Sequence, residues 1–281
     1  MKIIIIGPAF PLRGGIANFN EALCRSLQKS GHDVSVISFS LQYPSFLFPG
    51  KTQFDTGEGP KDIRIKTMIN SVNPANWFRV AKYVKSENPD LVIIRFWLPF
   101  MGPCLGTIER LIRKSTKIIA VTDNVIPHEK KPGDNFLTSY FVKSCNGFIA
   151  MSDAVLNDLK QFDDAKPKII LPHPVYDIFG EKTDRQTAIK KLNLSENTHY
   201  ILFFGFVRKY KGLDILLEAF SKFDHKKYNV KLIVAGEFYE DEKPYLEIIQ
   251  KNNLTDSVIV KRDYIPSEEV KYYYAAAALV A

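Results

Sequence analysis

The chain has 281 residues, 46% hydrophobic and 25% charged, with no low-complexity tract; this excludes a disordered or fibrous chain and leaves room for about two domains with buried cores. The net charge of +7 favours anionic partners such as nucleotide diphosphates or acidic membrane surfaces, but no basic block is interleaved with aromatics, which argues against nucleic acid. Three widely spaced cysteines, Cys24, Cys104 and Cys145, fit neither a disulfide framework nor a zinc site and point to a reducing compartment.

The N-terminal apolar run is too short for a secretory h-region, and no small-residue cleavage site follows it. Residues 2–6 (Lys-Ile-Ile-Ile-Ile) read instead as a strand buried on both faces. Residues 7–15 form a loop. Ile16, Phe19, Leu23 and Leu27 then recur at helical spacing, Cys24 shares their apolar pattern, and Gly31 closes the helix. Residues 34–39 are the next strand. Trp77, Phe78, Ala81 and Val84 mark a helix. Residues 91–96, 117–122, 148–151 and 169–171 read as strands with helical segments between them. Such alternation implies a parallel, doubly wound α/β sheet.

Residues 172–179, with two prolines around His173, read as a linker, dividing the chain into domains 1–175 and 176–281. The pattern then restarts. Residues 200–204 are a strand, and Leu213, Leu216, Leu217 and Phe220 form a helical stripe. Residues 231–235 and 258–260 are strands, 245–249 and 268–274 helical. Residues 279–281 open another strand with no helix to cover it, so the second domain is expected to be incomplete. No run approaches the roughly 18 apolar residues needed to span a bilayer. The expected location is the cytoplasm, peripheral to a membrane at most.

Ligands of open α/β sheets sit beyond the carboxyl ends of the strands, so the loops that follow strands carry the chemistry. Arg13-Gly14-Gly15-Ile16 joins the first strand to the first helix. Its glycines serve either a tight turn or the approach of backbone amides to an anion; it is neither a G-x-G-x-x-G fingerprint nor a Walker A sequence. The segment 205–212 (Gly-Phe-Val-Arg-Lys-Tyr-Lys-Gly) places three cations before a helix, either as solvated side chains or as a cradle for a diphosphate. Asp123, His128 and Glu129 gather after the strand 117–122.

At these loops the sequence resembles retaining glycosyltransferases of family four. Pro11, Gly14-Gly15-Ile16-Ala17 and Gly31-His32-Asp33-Val34 resemble the family's opening. Phe204-Gly205, Arg208, Lys211-Gly212-Leu213-Asp214 and Ala219-Phe220 resemble its donor-diphosphate loop. Gly147-Phe148-Ile149-Ala150-Met151-Ser152, Leu232-Ile233-Val234-Ala235-Gly236-Glu237 and Tyr264-Ile265-Pro266 fit as well. The resemblance implies the GT-B fold: two Rossmann-like, doubly wound domains with the active site in the cleft between them.

It also implies transfer of a sugar from a nucleotide diphosphate donor with retention of configuration. Arg208 and Lys211 correspond to the pair that neutralises the leaving diphosphate. Gly14, Gly15, Gly205, Phe206, Gly236, Glu237, Tyr264 and Ile265 correspond to donor-binding positions. Relatives often carry His-Asn where this chain has Asp123-Asn124, so Asp123 or His128 is expected to face the sugar. The family's E-x7-E segment lies beyond residue 281. No cofactor or metal is expected; the acidic runs Asp163-Asp164 and Glu240-Asp241-Glu242 read as exposed turns.

The expected partners are a sugar nucleotide and a glycan or lipid-linked acceptor, not nucleic acid. Residues 43–49 (Tyr-Pro-Ser-Phe-Leu-Phe-Pro) and 96–101 (Phe-Trp-Leu-Pro-Phe-Met), the latter leading to Arg110, Arg113 and Lys114, read either as core loops or as a contact with a lipid-linked acceptor at the inner membrane face. Two other readings remain open, a nucleotide-sugar epimerase of the same architecture and a non-catalytic nucleotide-sugar-binding module.

Overall fold

Four consecutive isoleucines, all buried, make β1 (Lys2–Ile6) a strand suited only to the middle of a sheet covered on both faces. That is where the computed structural model places it. The structure describes residues 1–44, 48, 52–55, 57–127, 129–175 and 179–281. It divides into two units, Met1–Phe48 with Thr52–Val175, and Tyr176–Ala281.

The first unit holds a parallel sheet of β2 (Asp33–Leu41), β3 (Arg64–Asn70), β4 (Leu91–Phe96), β5 (Lys117–Thr122), β6 (Gly147–Ala150) and β7 (Lys168–Ile170), in the order β3-β2-β1-β4-β5-β6-β7. Side chains of a strand alternate between faces. Ile4 and Ile6 join Val80, Val84, Leu105, Ile108 and Phe141 of α2 (Pro74–Glu87), α3 (Gly102–Ile112) and α4 (Asp134–Val142). Ile3 and Ile5 pack on the other face, with Cys24 of α1 (Gly15–Lys29), Val34 and Val36. Burying such a side chain contributes roughly 1.5–3 kcal/mol. Cys24 is thus a core residue, as its spacing implies.

The helices start where the sequence supplies caps. Asn73 Oδ1 accepts from Asn76 N ahead of Pro74, and Ser152 Oγ accepts from Val155 N at the start of α5 (Asp153–Lys160). In the second unit Asp184 caps α6 (Arg185–Lys191) by accepting from Thr187 N at 2.8 Å. A parallel sheet follows, built from β8 (His199–Phe204), β9 (Val230–Ala235), β10 (Val258–Lys261) and β11 (Leu279–Val280) in the order β10-β9-β8-β11. The helices α7 (Leu213–Lys222) and α8 (Lys243–Lys251) cover one face, and α6 with α9 (Ser267–Ala276) the other.

Two elements, β3 and α6, go beyond the sequence expectations. The strand β3 reads Arg-Ile-Lys-Thr-Met-Ile-Asn and has only Ile69 fully buried. It ends the sheet order, where a strand needs no second apolar face. The expected strand bounds are otherwise displaced by one or two residues, as at β2 and β7.

Candidate functional site

In the second unit the strand order reverses beside β8, and the space past its carboxyl end is where a doubly wound sheet receives a ligand. Gly205 leaves β8 with φ +110° and Gly236 leaves β9 with φ +147°. The two press together: a Cβ on Gly236 would lie 2.1 Å from the Gly205 carbonyl oxygen. Gly205 N donates to Ala235 O at 2.9 Å, Val207 N to Glu237 O at 2.9 Å and Tyr239 N to Val207 O at 3.1 Å. The segments 205–208 and 236–239 therefore extend the β8–β9 ladder, with Val207 paired to Phe238.

Val207 points into the core. Phe206 and Arg208, one residue to either side, both meet Tyr239: the Phe206 and Tyr239 ring centroids are 4.2 Å apart, and Arg208 Cζ stands 5.3 Å above the Tyr239 ring. A 3-10 turn, Lys209–Lys211, and Gly212 at φ +72° then lead into α7. Gly205 makes room for Lys211, whose Nζ lies 3.1 Å from where a Cβ would stand. Partial burial and the neighbouring Arg208 guanidinium push the Lys211 pKa down. Among the described residues no carboxylate forms an ion pair with either cation.

Glu237 is buried directly after β9, and Tyr264 and Ile265 follow β10. The sequence-expected donor residues of this unit thus fall on the carboxyl edge of one sheet. Ile265 is a partial exception. Its side chain packs in the core with Val270 and Tyr273.

In the first unit the strand order reverses between β1 and β4. The loop after β1 is pinned throughout: Ser38 Oγ bonds both Ala9 N and Ala9 O at 3.0 Å, Asn20 Nδ2 donates to Pro8 O, Phe10 N donates to Glu21 Oε1, and Arg13 N donates to Gln53 O. Gly14, at φ +110°, precedes Gly15, the first residue of α1. No described residue stands within 4 Å of a Cβ on Gly14, so its glycine serves the backbone conformation and leaves open space beside the helix start.

The sequence reading missed the neighbouring centre. Arg95, on β4, is 1% exposed. Its Nε donates to Asp123 Oδ2 at 2.5 Å and its Nη2 to Asp123 Oδ1, with Met151 Sδ 3.2 Å from Nη2. The guanidinium lies 3.9 Å over the Phe19 ring, and the His173 ring is 5.5 Å from the same ring. Desolvation pushes the Asp123 pKa up, and Arg95 opposes the shift. Asp123, expected to face the sugar, has both carboxylate oxygens engaged by Arg95. His128 lies outside the described residues. A charge within the otherwise continuous apolar run Leu-Val-Ile-Ile-Arg-Phe was the available signal.

The aromatic loops are knit into the first unit. Trp97, 7% exposed, donates from Nε1 to Tyr43 Oη at 2.6 Å; Tyr43 faces Phe100 at 5.9 Å and Phe48 at 6.3 Å. Residues 45–47 and 49 lie outside the described residues. Arg110 stacks 3.5 Å over Tyr140 and donates to Gly106 O at 2.7 Å, so of the three expected cations only Arg113 and Lys114 are exposed. Asp163 is not a free acidic turn either: Lys166 and Lys168 pair with it at 3.2 and 3.4 Å. Among the described residues no three His, Cys, Asp or Glu side chains cluster to hold a metal ion, and no helix is long and apolar enough to cross a membrane.

Comparison with known proteins matches residues 13–176 to the model of Glycosyltransferase Family 4 and residues 184–281 to that of Glycosyl transferases group 1. The D-inositol 3-phosphate glycosyltransferase of Thermobifida fusca (strain YX) is 24% identical over 293 residues; the match covers 95% of this chain and 66% of that protein. Among solved structures, sucrose-phosphate synthase from Thermosynechococcus elongatus superposes with a TM-score of 0.72 at 14% identity, covering 100% of this chain and 75% of the other. Anabaena Alr3699/HepE, solved in complex with UDP and glucose, gives 0.73 at 16%, covering 100% and 73%. The structural likenesses carry the GT-B fold and the model matches carry the family: this chain belongs to glycosyltransferase family 4.

Proposed function

We propose that the protein transfers a sugar from a nucleoside diphosphate sugar to a glycan or lipid-linked acceptor, with retention of anomeric configuration and without a metal ion. One observation carries this reading: Arg208 and Lys211 stand on the one turn that leaves β8 for α7, with Lys211 Nζ drawn in over Gly205, and no described carboxylate pairs with either. Two like charges held together favour a dianion. Breaking a glycosyl–phosphate bond leaves negative charge on the diphosphate, and fixed cations stabilise that charge as it develops.

The bare α-carbons of Gly205 and Gly236 let Lys211 Nζ and the Gly205 carbonyl draw in at the end of the sheet, and Glu237, Tyr264 and Ile265 follow the strands on the same sheet edge. Gly14, next to Gly15 at the start of α1, leaves room beside the helix start for an anion. The UDP and glucose in the HepE structure support a donor of this class. We assign Asp123 to holding Arg95, and leave His128 as the candidate sugar contact of that loop.

The reaction is proposed for the cytoplasmic side, with Arg113 and Lys114 as the cations available to the inner membrane face. Failure of the full-length protein to float with anionic liposomes would end that part.

Thermal shifts of the full-length protein with UDP, GDP and ADP identify the base; a ligand at a hundred times its Kd adds about 2.7 kcal/mol. With the matching donor, Arg208→Ala and Lys211→Ala each lower turnover about 10²–10³-fold. Unchanged kinetics in both variants overturns the reading.

A further inference from the structure

We infer that Tyr239 is a positioning residue for Arg208, fixing the plane of the guanidinium that meets the donor diphosphate; this rests on the donor reading of the segment 205–212. A long, flexible arginine side chain loses rotamer freedom when it is held in one orientation. Stacking on an aromatic face removes that freedom while leaving the N–H edge of the fork open to an oxyanion. Arg208 Cζ stands 5.3 Å over the Tyr239 ring centroid, within the roughly 6 Å reach of a cation–π contact.

The ring is itself held. Phe206 backs it at 4.2 Å. Its backbone is tied by Tyr239 N to Val207 O at 3.1 Å, in the ladder where Val207 N donates to Glu237 O at 2.9 Å. Residues i and i+2 of an extended segment face the same way. Phe206 and Arg208 flank Val207, which points into the core, and so reach one ring on the outer side. Arg208 itself is extended, with φ −140° and ψ 149°. The β9 loop thus supplies a surface for a cation carried by the β8 loop.

The test measures nucleoside diphosphate affinity of the full-length protein by calorimetry, using UDP, GDP and ADP and continuing with the one that binds most tightly. The variants are Tyr239→Leu, Tyr239→Phe, Arg208→Ala and the double variant Arg208→Ala/Tyr239→Leu. Tyr239→Leu is expected to weaken binding about 5- to 30-fold. Tyr239→Phe, which keeps the ring, stays within about twofold of wild type. In the Arg208→Ala background, Tyr239→Leu has almost no further effect. Melting temperature is recorded for each variant, and Tyr239→Met replaces Tyr239→Leu if the latter does not fold.

A full effect of Tyr239→Leu with Arg208 already removed, or no effect with Arg208 present, overturns the positioning role and leaves the donor reading intact. Binding that is indifferent to Arg208→Ala, or absent in wild type for all three nucleotides, overturns the donor reading and this inference with it.

Discussion

Arg95 and Asp123 form a bidentate ion pair that joins β4 to the residue just after β5: Nε reaches Oδ2 at 2.5 Å and Nη2 reaches Oδ1, with the Arg95 side chain 2% exposed and that of Asp123 18%. Arg95 Nη1 is enclosed without a partner among the described residues. Such a pair adds little net stability, but removing one partner strands a buried charge.

Arg95→Met is therefore expected to cost about 3–5 kcal/mol, as is Asp123→Leu. The double variant Arg95→Met/Asp123→Leu is expected to recover most of that loss. Urea denaturation of the four proteins measures it. Additive losses would mean that the two side chains are not coupled.

Glu109 presents the opposite problem. It is wholly buried on α3, Cys145 Sγ donates to its Oε1 at 3.2 Å, and its Oε2 has no hydrogen-bond partner among the described residues. Burial pushes its pKa up to about 8, against ~4.3 in an unfolded chain. The folded state binds the proton more tightly, so its contribution is full below about pH 4.3 and is lost as pH rises through 8. Stability is expected to fall across pH 5–8, and Glu109→Gln to flatten that slope and exceed wild type at pH 8 by a few kcal/mol. Melting temperatures at pH 5, 6.5 and 8 check it.

Gly236 and Gly14 separate two uses of glycine. Gly236→Ala drives a Cβ into the Gly205 carbonyl and strains the backbone; it should cost more than 2 kcal/mol and weaken nucleoside diphosphate binding. Gly14→Ala meets no described residue within 4 Å and should cost only the strain of its glycine-only backbone at φ 110° and ψ 171°, about 1–3 kcal/mol. Denaturation and calorimetry on both variants compare them.

The depressed Lys211 pKa sets a limit at alkaline pH. Nucleoside diphosphate affinity is expected to decline as Lys211 loses its proton, below the ordinary lysine value of ~10.4. Arg208→Ala removes one cause of the depression, so its decline begins at higher pH, from a weaker starting affinity. In Lys211→Arg the decline should disappear from the accessible range. Titrations between pH 7 and 10 follow it.

Much of the fold was legible because the apolar patterns were strong. The isoleucines of β1, the stripe of α7 and the run of β9 could be buried in one way only. The strand β3 escaped because an edge strand carries Arg64 and Lys66 without penalty, and α6 because seven residues show too little periodicity. At the site, glycines and cations following strands marked Gly205, Arg208, Lys211 and Gly236. The Arg95–Asp123 pair was hidden because its members are 28 residues apart. Their meeting depends on the β4–β5 register, which sets Arg95 opposite Val121. The Tyr239 ring over Arg208 was hidden for the same reason, since the loops of two strands converge there only once the sheet has formed.

The fit of the Gly205 carbonyl against the bare α-carbon of Gly236 bears on how such enzymes can be recombined. A chimera that imports residues 205–212 from a relative while keeping its own 236–239 joins two surfaces shaped for different mates. Exchange of donor preference between family members is better attempted with both segments moved as one cassette.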